Sequence, residues 1–217
     1  MSIEVFLADD HPLVRDGLEA IFRAQQEIVF IGSAADGRRA VQQILKLKPD
    51  VVLMDISMPN LNGIEATRQI IENQPAIGVI ILSMFDNFEY INQAFQAGAK
   101  GYLLKLSATE EIFEAIRTVH TGHHYLSQRI SEILVTEVLV KRDEHLKKSP
   151  LERLSSRERE ILQLVVEGYS SVKIGETLFI SPKTVETYRG RLMEKLGICD
   201  LPTLVKFAIK HGLTPLE

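Results

Sequence analysis

Residues 49–60 read PDVVLMDISMPN: a Pro-Asp break, four apolar residues, an aspartate, and a turn sequence ending in Pro59-Asn60. The run Val51 to Met54 is short, apolar and partly β-branched, which suits a single buried strand. Asp55 follows it without a spacer, and a lone carboxylate is costly to bury. Either the strand ends there with Asp55 in an open cleft, or a metal or another cation matches its charge.

The flanking sequence has the same grammar. Upstream, Ile3 to Ala8 reads as a strand, and Pro12 opens a helix with Val14, Leu18, Ile21 and Phe22 on one face. A strand at about 28–34 leads to a helix carrying Val41, Ile44 and Leu45. Downstream come a helix near 63–73, a strand at 77–82, a helix near 87–97, a strand at 101–104 and a helix near 108–121. Five βα units predict an α/β fold, a doubly wound five-stranded parallel sheet with helices on both faces. In such a fold the ligand site lies beyond the carboxyl ends of the strands.

The chain has 217 residues, 45% of them apolar, enough for two domains. No apolar run approaches a membrane span and the amino terminus lacks the layout of a secretory signal, so a soluble cytoplasmic protein without membrane contact is expected. Cys199, the single cysteine, is expected to be a buried structural thiol. Residues 1–130 hold 11 basic and 16 acidic residues, and residues 131–217 hold 14 and 13. Within 181–211 there are six basic residues and three acidic ones, a balance compatible with nucleic acid.

The pattern changes after the Gly122-His123-His124 loop. The expected division is a first domain over 1–122, a helical linker over 123–150 and an all-α domain over 151–217. In the last, Ser155-x-x-Glu158 is a capping box for a helix that Gly168 terminates. Ser170 or Ser171 opens a short helix to Leu178, Ser181-Pro182 opens a longer one to Leu196, and a last helix spans about 201–211. A short helix, a tight connection and an N-capped longer helix form a helix-turn-helix, whose second helix enters the major groove of DNA.

The strand ends of the first domain carry Asp9, Asp10, Asp55, Ser83 and Lys105, which would meet at one rim. Crowded carboxylates repel one another unless a hard cation is present, and oxygen ligands suit Mg²⁺. A lysine and a hydroxyl beside them fit a phosphate-like group, and a carboxylate beside a metal can attack phosphorus to give an acyl phosphate. His11 reads as a turn residue beside this site, with a proton-transfer role as the alternative.

The stretches ADDHPLVRDGL, PDVVLMDISMPNLNGIEA and GAKGYLLK resemble the receiver domain of two-component response regulators, a flavodoxin-like fold, over residues 1–122. The resemblance implies that Asp55 accepts a phosphoryl group from a sensor histidine kinase. It implies Mg²⁺ held by Asp10, Asp55 and the Ser57 main-chain carbonyl with help from Asp9, and Lys105 on the phosphoryl oxygens. Ser83 and Tyr102 match the hydroxyl and aromatic that shift on phosphorylation. A receiver is not an enzyme in the usual sense, since it promotes only its own phosphoryl transfer and dephosphorylation. The sequence departs from many relatives at Leu106, where an acidic residue is usual; Ser107-x-x-Glu110 is still expected to cap the next helix.

Residues 151–213 resemble the helix-turn-helix output domain of the LuxR/NarL/FixJ class, which implies a transcription regulator bound to promoter DNA. In the long helix Val185, Leu192 and Leu196 form the buried stripe. Lys183 and Arg191 would reach phosphates, and Ser181, Thr184 and Thr187 phosphates or base edges. Glu186 and Gly190 lie on the same exposed surface; Glu186 would accept a bond from cytosine N4 or repel unsuitable sites. Leu204, Phe207 and Ala208 on the last helix are expected to form the surface of a homodimer that assembles on phosphorylation or on DNA. RNA polymerase is a further expected partner.

Overall fold

The computed structural model describes residues 2–140, 150–211 and 213. It divides into two compact units, residues 1–140 and 141–217.

In the first unit, β1 (Ile3–Ala8), β2 (Ile28–Ala34), β3 (Val51–Met54), β4 (Gly78–Ser83) and β5 (Gly101–Leu104) alternate with α1 (Pro12–Arg23), α2 (Gly37–Leu47), α3 (Gly63–Asn73), α4 (Phe88–Gln96) and α5 (Thr109–His120). The parallel strands run in the order β2-β1-β3-β4-β5, so the direction of winding reverses between β1 and β3. Every residue of β3 and β4 is buried, as expected of central parallel strands covered on both faces. One core, around Phe6, Ile44, Met54, Ile70, Ile81 and Tyr102, fills one face; the other, around Leu7, Phe22, Leu53, Ile80 and Ile116, fills the opposite face.

The sheet has six strands where the sequence predicts five. A two-residue β6 (Tyr125–Leu126) pairs in parallel with β5, and α6 (Gln128–Val140) follows it. The segment is too short to show a strand period, so its pairing is visible only once the β5 edge is in place. Ile130 of α6 is fully buried in the core that contains Tyr102, which ties the start of the expected linker to the first unit. Residues 141–149, including the charged run of that linker, lie outside the described residues.

In the second unit the described residues form only helices: a 3-10 turn (Pro150–Arg153), α7 (Ser156–Val166), α8 (Ser171–Leu178), α9 (Pro182–Leu196) and α10 (Leu201–Lys210). The Ser155–Glu158 capping box forms as predicted, Ser170 caps α8, Ser181 caps α9, and Gly168 leaves α7 with a φ of +86°. Glu158 also receives Lys195 Nζ at 2.7 Å, fastening α7 to α9. Ile161, Leu164, Ile174, Leu178, Val185 and Leu192 close one core. The α8–α9 turn is tight: a Cβ on Gly175 would lie 2.7 Å from the Ile180 carbonyl oxygen. Phe179 pays for that turn with a left-handed φ of +56°, a conformation costing about 1–2 kcal/mol outside glycine.

Three expectations are corrected here. Leu204 and Ala208 are buried in the core of their own unit and so offer no surface to a second copy, while Phe207 is half-buried against that core. The inward stripe of a short terminal helix looks the same in sequence as an exposed apolar one. Cys199 is exposed, because it lies in the connection after Gly197. Finally, α5 starts at Thr109 with Ala108 as its N-cap and no side-chain bond, so Ser107 and Glu110 do not make the expected cap.

Candidate functional site

The sheet hydrogen bonding continues one residue past the strands and sets the site. Asp55 N–H donates to the Ala8 carbonyl at 2.8 Å, Asp9 N–H to Ala34 at 3.0 Å, and Lys105 N–H to Ser83 at 2.8 Å. Asp9, Asp55 and Lys105 therefore arrive in register at the carboxyl edge, Asp9 and Asp55 on the two strands that flank the winding reversal. Behind them, α3 starts close to the sheet: a Cβ on Gly63 would sit 1.9 Å from the Asp55 carbonyl oxygen, so only glycine fits. Asn62 caps α3 through the Glu65 N–H, and Asn60 turns the chain with a φ of +67°.

Lys105 Nζ lies 2.8 Å from Asp9 Oδ2 and 2.9 Å from Asp55 Oδ2, all three side chains almost wholly buried. Two carboxylates share one ammonium, a deficit of positive charge in a dry place. Lys105 is the near partner of both Asp9 Oδ2 and Asp55 Oδ2, and His11 Nδ1 lies 2.6 Å from Asp10 Oδ1. Burial pushes the Asp55 carboxyl up to about 6 against the pull of Lys105, with Asp9 adding to the rise and the Ser57 main-chain N–H opposing it. Burial alone would lower the Lys105 pKa, but Asp55 and Asp9 outweigh it and hold the ammonium above the ordinary lysine value. The carboxylates of Asp9, Asp10 and Asp55, which outnumber the one ammonium beside them, fit a hard divalent cation.

Beside this cluster, Ser83 Oγ is buried and accepts a bond from the Phe85 N–H at 3.1 Å. Tyr102 is also fully buried, and its hydroxyl donates to the Phe85 carbonyl at 2.7 Å. Burial drives the Tyr102 phenol well above its ordinary pKa. Phe85 in turn stacks on Tyr90 with ring centroids 4.6 Å apart. The Tyr102 ring therefore already occupies the interior position, held by the loop that Ser83 begins. Leu106, where an acidic residue is usual in the receivers the sequence resembles, is 83% exposed.

Two further residues border the cluster: Arg15, which the sequence does not single out, and His11, which it reads as a turn residue beside the site. Arg15 donates to the Asp9 carbonyl at 2.6 Å, one helical turn beyond the N-terminus of α1. His11 turns its ring into the acidic cluster, with Nδ1 2.6 Å from Asp10 Oδ1. An aspartate pair followed by histidine gives no periodic signal, and only the folded rim shows where the ring goes.

In the second unit, Ser181, Lys183, Glu186, Thr187, Gly190 and Arg191 are exposed and Thr184 is half-buried, along one side of α9. A Cβ on Gly190 would meet nothing within 4 Å. Glu186 is engaged within the protein: Ser171 Oγ donates to its carboxylate, and Arg189 Nη1 lies 3.3 Å from Glu186 Oε1 and 3.2 Å from Ser171 Oγ. Ser181 and Thr184 hydroxyls bond each other at 2.8 Å. Leu196 of the expected buried stripe is half-buried, beside fully buried Val185 and Leu192.

Comparison with known proteins gives matching families for both units. The response regulator receiver domain matches residues 5–117, and the bacterial regulatory proteins of the luxR family match residues 152–208. The oxygen regulatory protein NreC of Staphylococcus aureus is 40% identical over 214 residues, covering 97% of this chain and 99% of NreC. Among solved structures, a LuxR-family two-component response regulator from an Aurantimonas species superposes with a TM-score of 0.62 at 32% identity, over 64% of this chain and 99% of its own. RcsB, solved as two dimers bound to two parallel DNAs, gives a TM-score of 0.61 at 25% identity, over 97% and 99%.

Proposed function

Because the chain belongs to the response regulators that join a receiver domain to a luxR-type DNA-binding domain, and is a phosphorylation-dependent transcription regulator, we propose that Asp55 is its phosphoacceptor. The observation that carries this reading is the buried convergence of Asp55, Asp9 and Lys105 at the carboxyl edge of β1, β3 and β5. An Asp55 carboxylate oxygen attacks the phosphorus of a phosphohistidine on a sensor kinase. The new O–P bond forms as the N–P bond breaks, and the histidine leaves with the electron pair. Lys105, already within 2.9 Å of Asp55 Oδ2, offsets charge on the transferring oxygens.

Mg²⁺ would be held by Asp10, Asp55 and the Ser57 carbonyl, with Asp9 beside it. A cation there supplies charge neutralisation to the phosphoryl oxygens. Ser83 and Tyr102 are the switch pair: a dianion on Asp55 would draw the Ser83 hydroxyl, and that hydroxyl and Tyr102 already bond the same residue, Phe85.

In the second unit α9 is the recognition helix. Lys183 and Arg191 contact phosphates, Ser181, Thr184 and Thr187 bond phosphate or base edges, and bare Gly190 lets the duplex approach. A DNA-binding domain over 151–217 goes with this reading, after a receiver whose expected limit of 122 is extended by β6 and α6, as does a cytoplasmic site of action with RNA polymerase as a further partner. Among the described residues no helix is long and apolar enough to cross a membrane. A homodimer on paired half-sites is supported by the likeness to RcsB, which was solved as dimers on DNA. Its surface would be the solvent-facing side of α10, where Leu201 is exposed and Val205 half-buried.

The test is DNA affinity of the full chain with and without a beryllofluoride mimic of the acyl phosphate, in wild type and in Asp55→Asn. The mimic should tighten binding by wild type only. Equal affinities across all four arms would refute the reading.

A further inference from the structure

Three polar side chains close a triangle between α8 and α9. Ser171, the first residue of α8, donates its hydroxyl to the Glu186 carboxylate on α9. Arg189, one turn further along α9, places Nη1 3.3 Å from Glu186 Oε1 and 3.2 Å from Ser171 Oγ. A hydroxyl gives one bond and accepts another, and a carboxylate oxygen accepts more than one, so each member is fixed by the other two. Glu186 is therefore held towards α8, with its charge offset by Arg189.

The triangle does not use up the guanidinium. Among the described residues Nε and Nη2 of Arg189 make no hydrogen bond, and the side chain is 32% exposed. The remaining donors of a planar guanidinium match the oxygens of a phosphate. In a helix-turn-helix the first helix crosses the DNA backbone while the second enters the groove. Beside Ser171, Arg189 stands at the junction of the two.

Resting on the reading of α9 as the recognition helix, we infer that Arg189 is a further DNA contact, which binds a backbone phosphate beside the start of α8, and that Glu186 is its positioning residue and not a reader of cytosine. A long side chain loses rotamer freedom when a partner immobilises it; Glu186 and Ser171 fix Arg189 before the duplex arrives. A carboxylate on a DNA-facing helix thus favours binding, against the repulsion that its charge alone would bring. All three side chains are exposed or half-buried, so replacing them leaves the second core intact.

The test is affinity of the beryllofluoride-treated full chain for a duplex that it selects from random sequence, measured over a salt series. The variants are Arg189→Ala, Glu186→Ala, Glu186→Gln, the Arg189→Ala/Glu186→Ala pair and Lys183→Ala, each checked for unchanged circular dichroism. Arg189→Ala should reduce the salt slope of log affinity by about one. At salt above about 0.15 M, where exposed charges are screened beyond about 8 Å, Glu186→Ala should weaken binding about threefold or more, and should cost nothing further in the Arg189→Ala background. Glu186→Gln keeps the acceptor and should stay within about twofold of wild type. Equal or tighter binding by Glu186→Ala, the same loss with and without Arg189, or a loss confined to one base pair overturns the inference. If Arg189→Ala alone binds with wild-type affinity and slope, the inference fails; if Lys183→Ala does so too, the recognition-helix reading fails and the inference with it.

Discussion

The two units carry their chemistry in opposite ways. In the first, residues far apart in sequence are brought to one buried point, where Asp9 and Asp55 share Lys105 at 2.8 and 2.9 Å. In the second, the candidates lie along a single helix from Ser181 to Arg191, and all but the half-buried Thr184 are exposed. A buried, under-compensated charge cluster is sensitive to each of its members, because no water can replace a missing partner. An exposed helical face is a sum of nearly independent contacts. Substitution should therefore act steeply in the first unit's site and by increments in the second.

The steepest effect is expected for Lys105→Ala. It leaves the Asp9 and Asp55 carboxylates facing each other without an ammonium, and breaking a buried pair costs about 3–5 kcal/mol. Denaturant unfolding of the full chain at low divalent cation measures it. Asp55→Asn should move the midpoint the other way, because it removes the charge that burial disfavours. Unchanged midpoints in both variants would mean that the cluster is hydrated in solution and the contrast between the units does not hold.

Leu192→Ala, in contrast, touches no functional group, and its cost of about 2–5 kcal/mol should come from the cavity left in the second core. DNA affinity at a temperature where the variant is folded should stay within about threefold of wild type, since a core residue supplies no contact to phosphates. A larger loss would place Leu192 in the readout of DNA.

Lys183→Ala and Arg191→Ala should each weaken DNA binding to all sequences alike and reduce the salt slope of log affinity by about one. The double variant should show the two losses added. A loss confined to one base position would instead make that residue a base reader.

The smallest effect concerns acid sensitivity of the second unit. Lys195 and the Ser155 cap outweigh burial and hold the Glu158 carboxyl below its ordinary value of 4.5. A depressed carboxyl stabilises the fold above its unfolded pKa, and that contribution is lost as pH falls through the lower folded value. Thermal unfolding of wild type should therefore worsen as pH drops below about 4.5, and Glu158→Gln should flatten the dependence. Parallel pH curves would show that Glu158 has no net role.

The same contrast explains what the sequence made legible. Strand ends at Asp9, Asp55 and Lys105, the capping box at Ser155 and the Ser181-Pro182 start of α9 are local signals, and the folded chain has them where expected. Strand β6 was missed because two residues carry no period. The inward turn of Leu204 and Ala208 was missed because a stripe does not say which surface covers it. Cys199 was placed by the average burial of its type, which a loop position overrides. The engagement of Glu186 with Ser171 and Arg189 joins two helices, and the turn between them decides it.

We place the phosphoryl group on Asp55. Incubation of the folded full chain with acetyl phosphate and Mg²⁺, followed by intact-mass measurement, tests it most directly. Wild type should gain the mass of one phosphoryl group that hydroxylamine removes, and Asp55→Asn should gain none. The same mass gain in Asp55→Asn, or none in folded wild type, would contradict the claim.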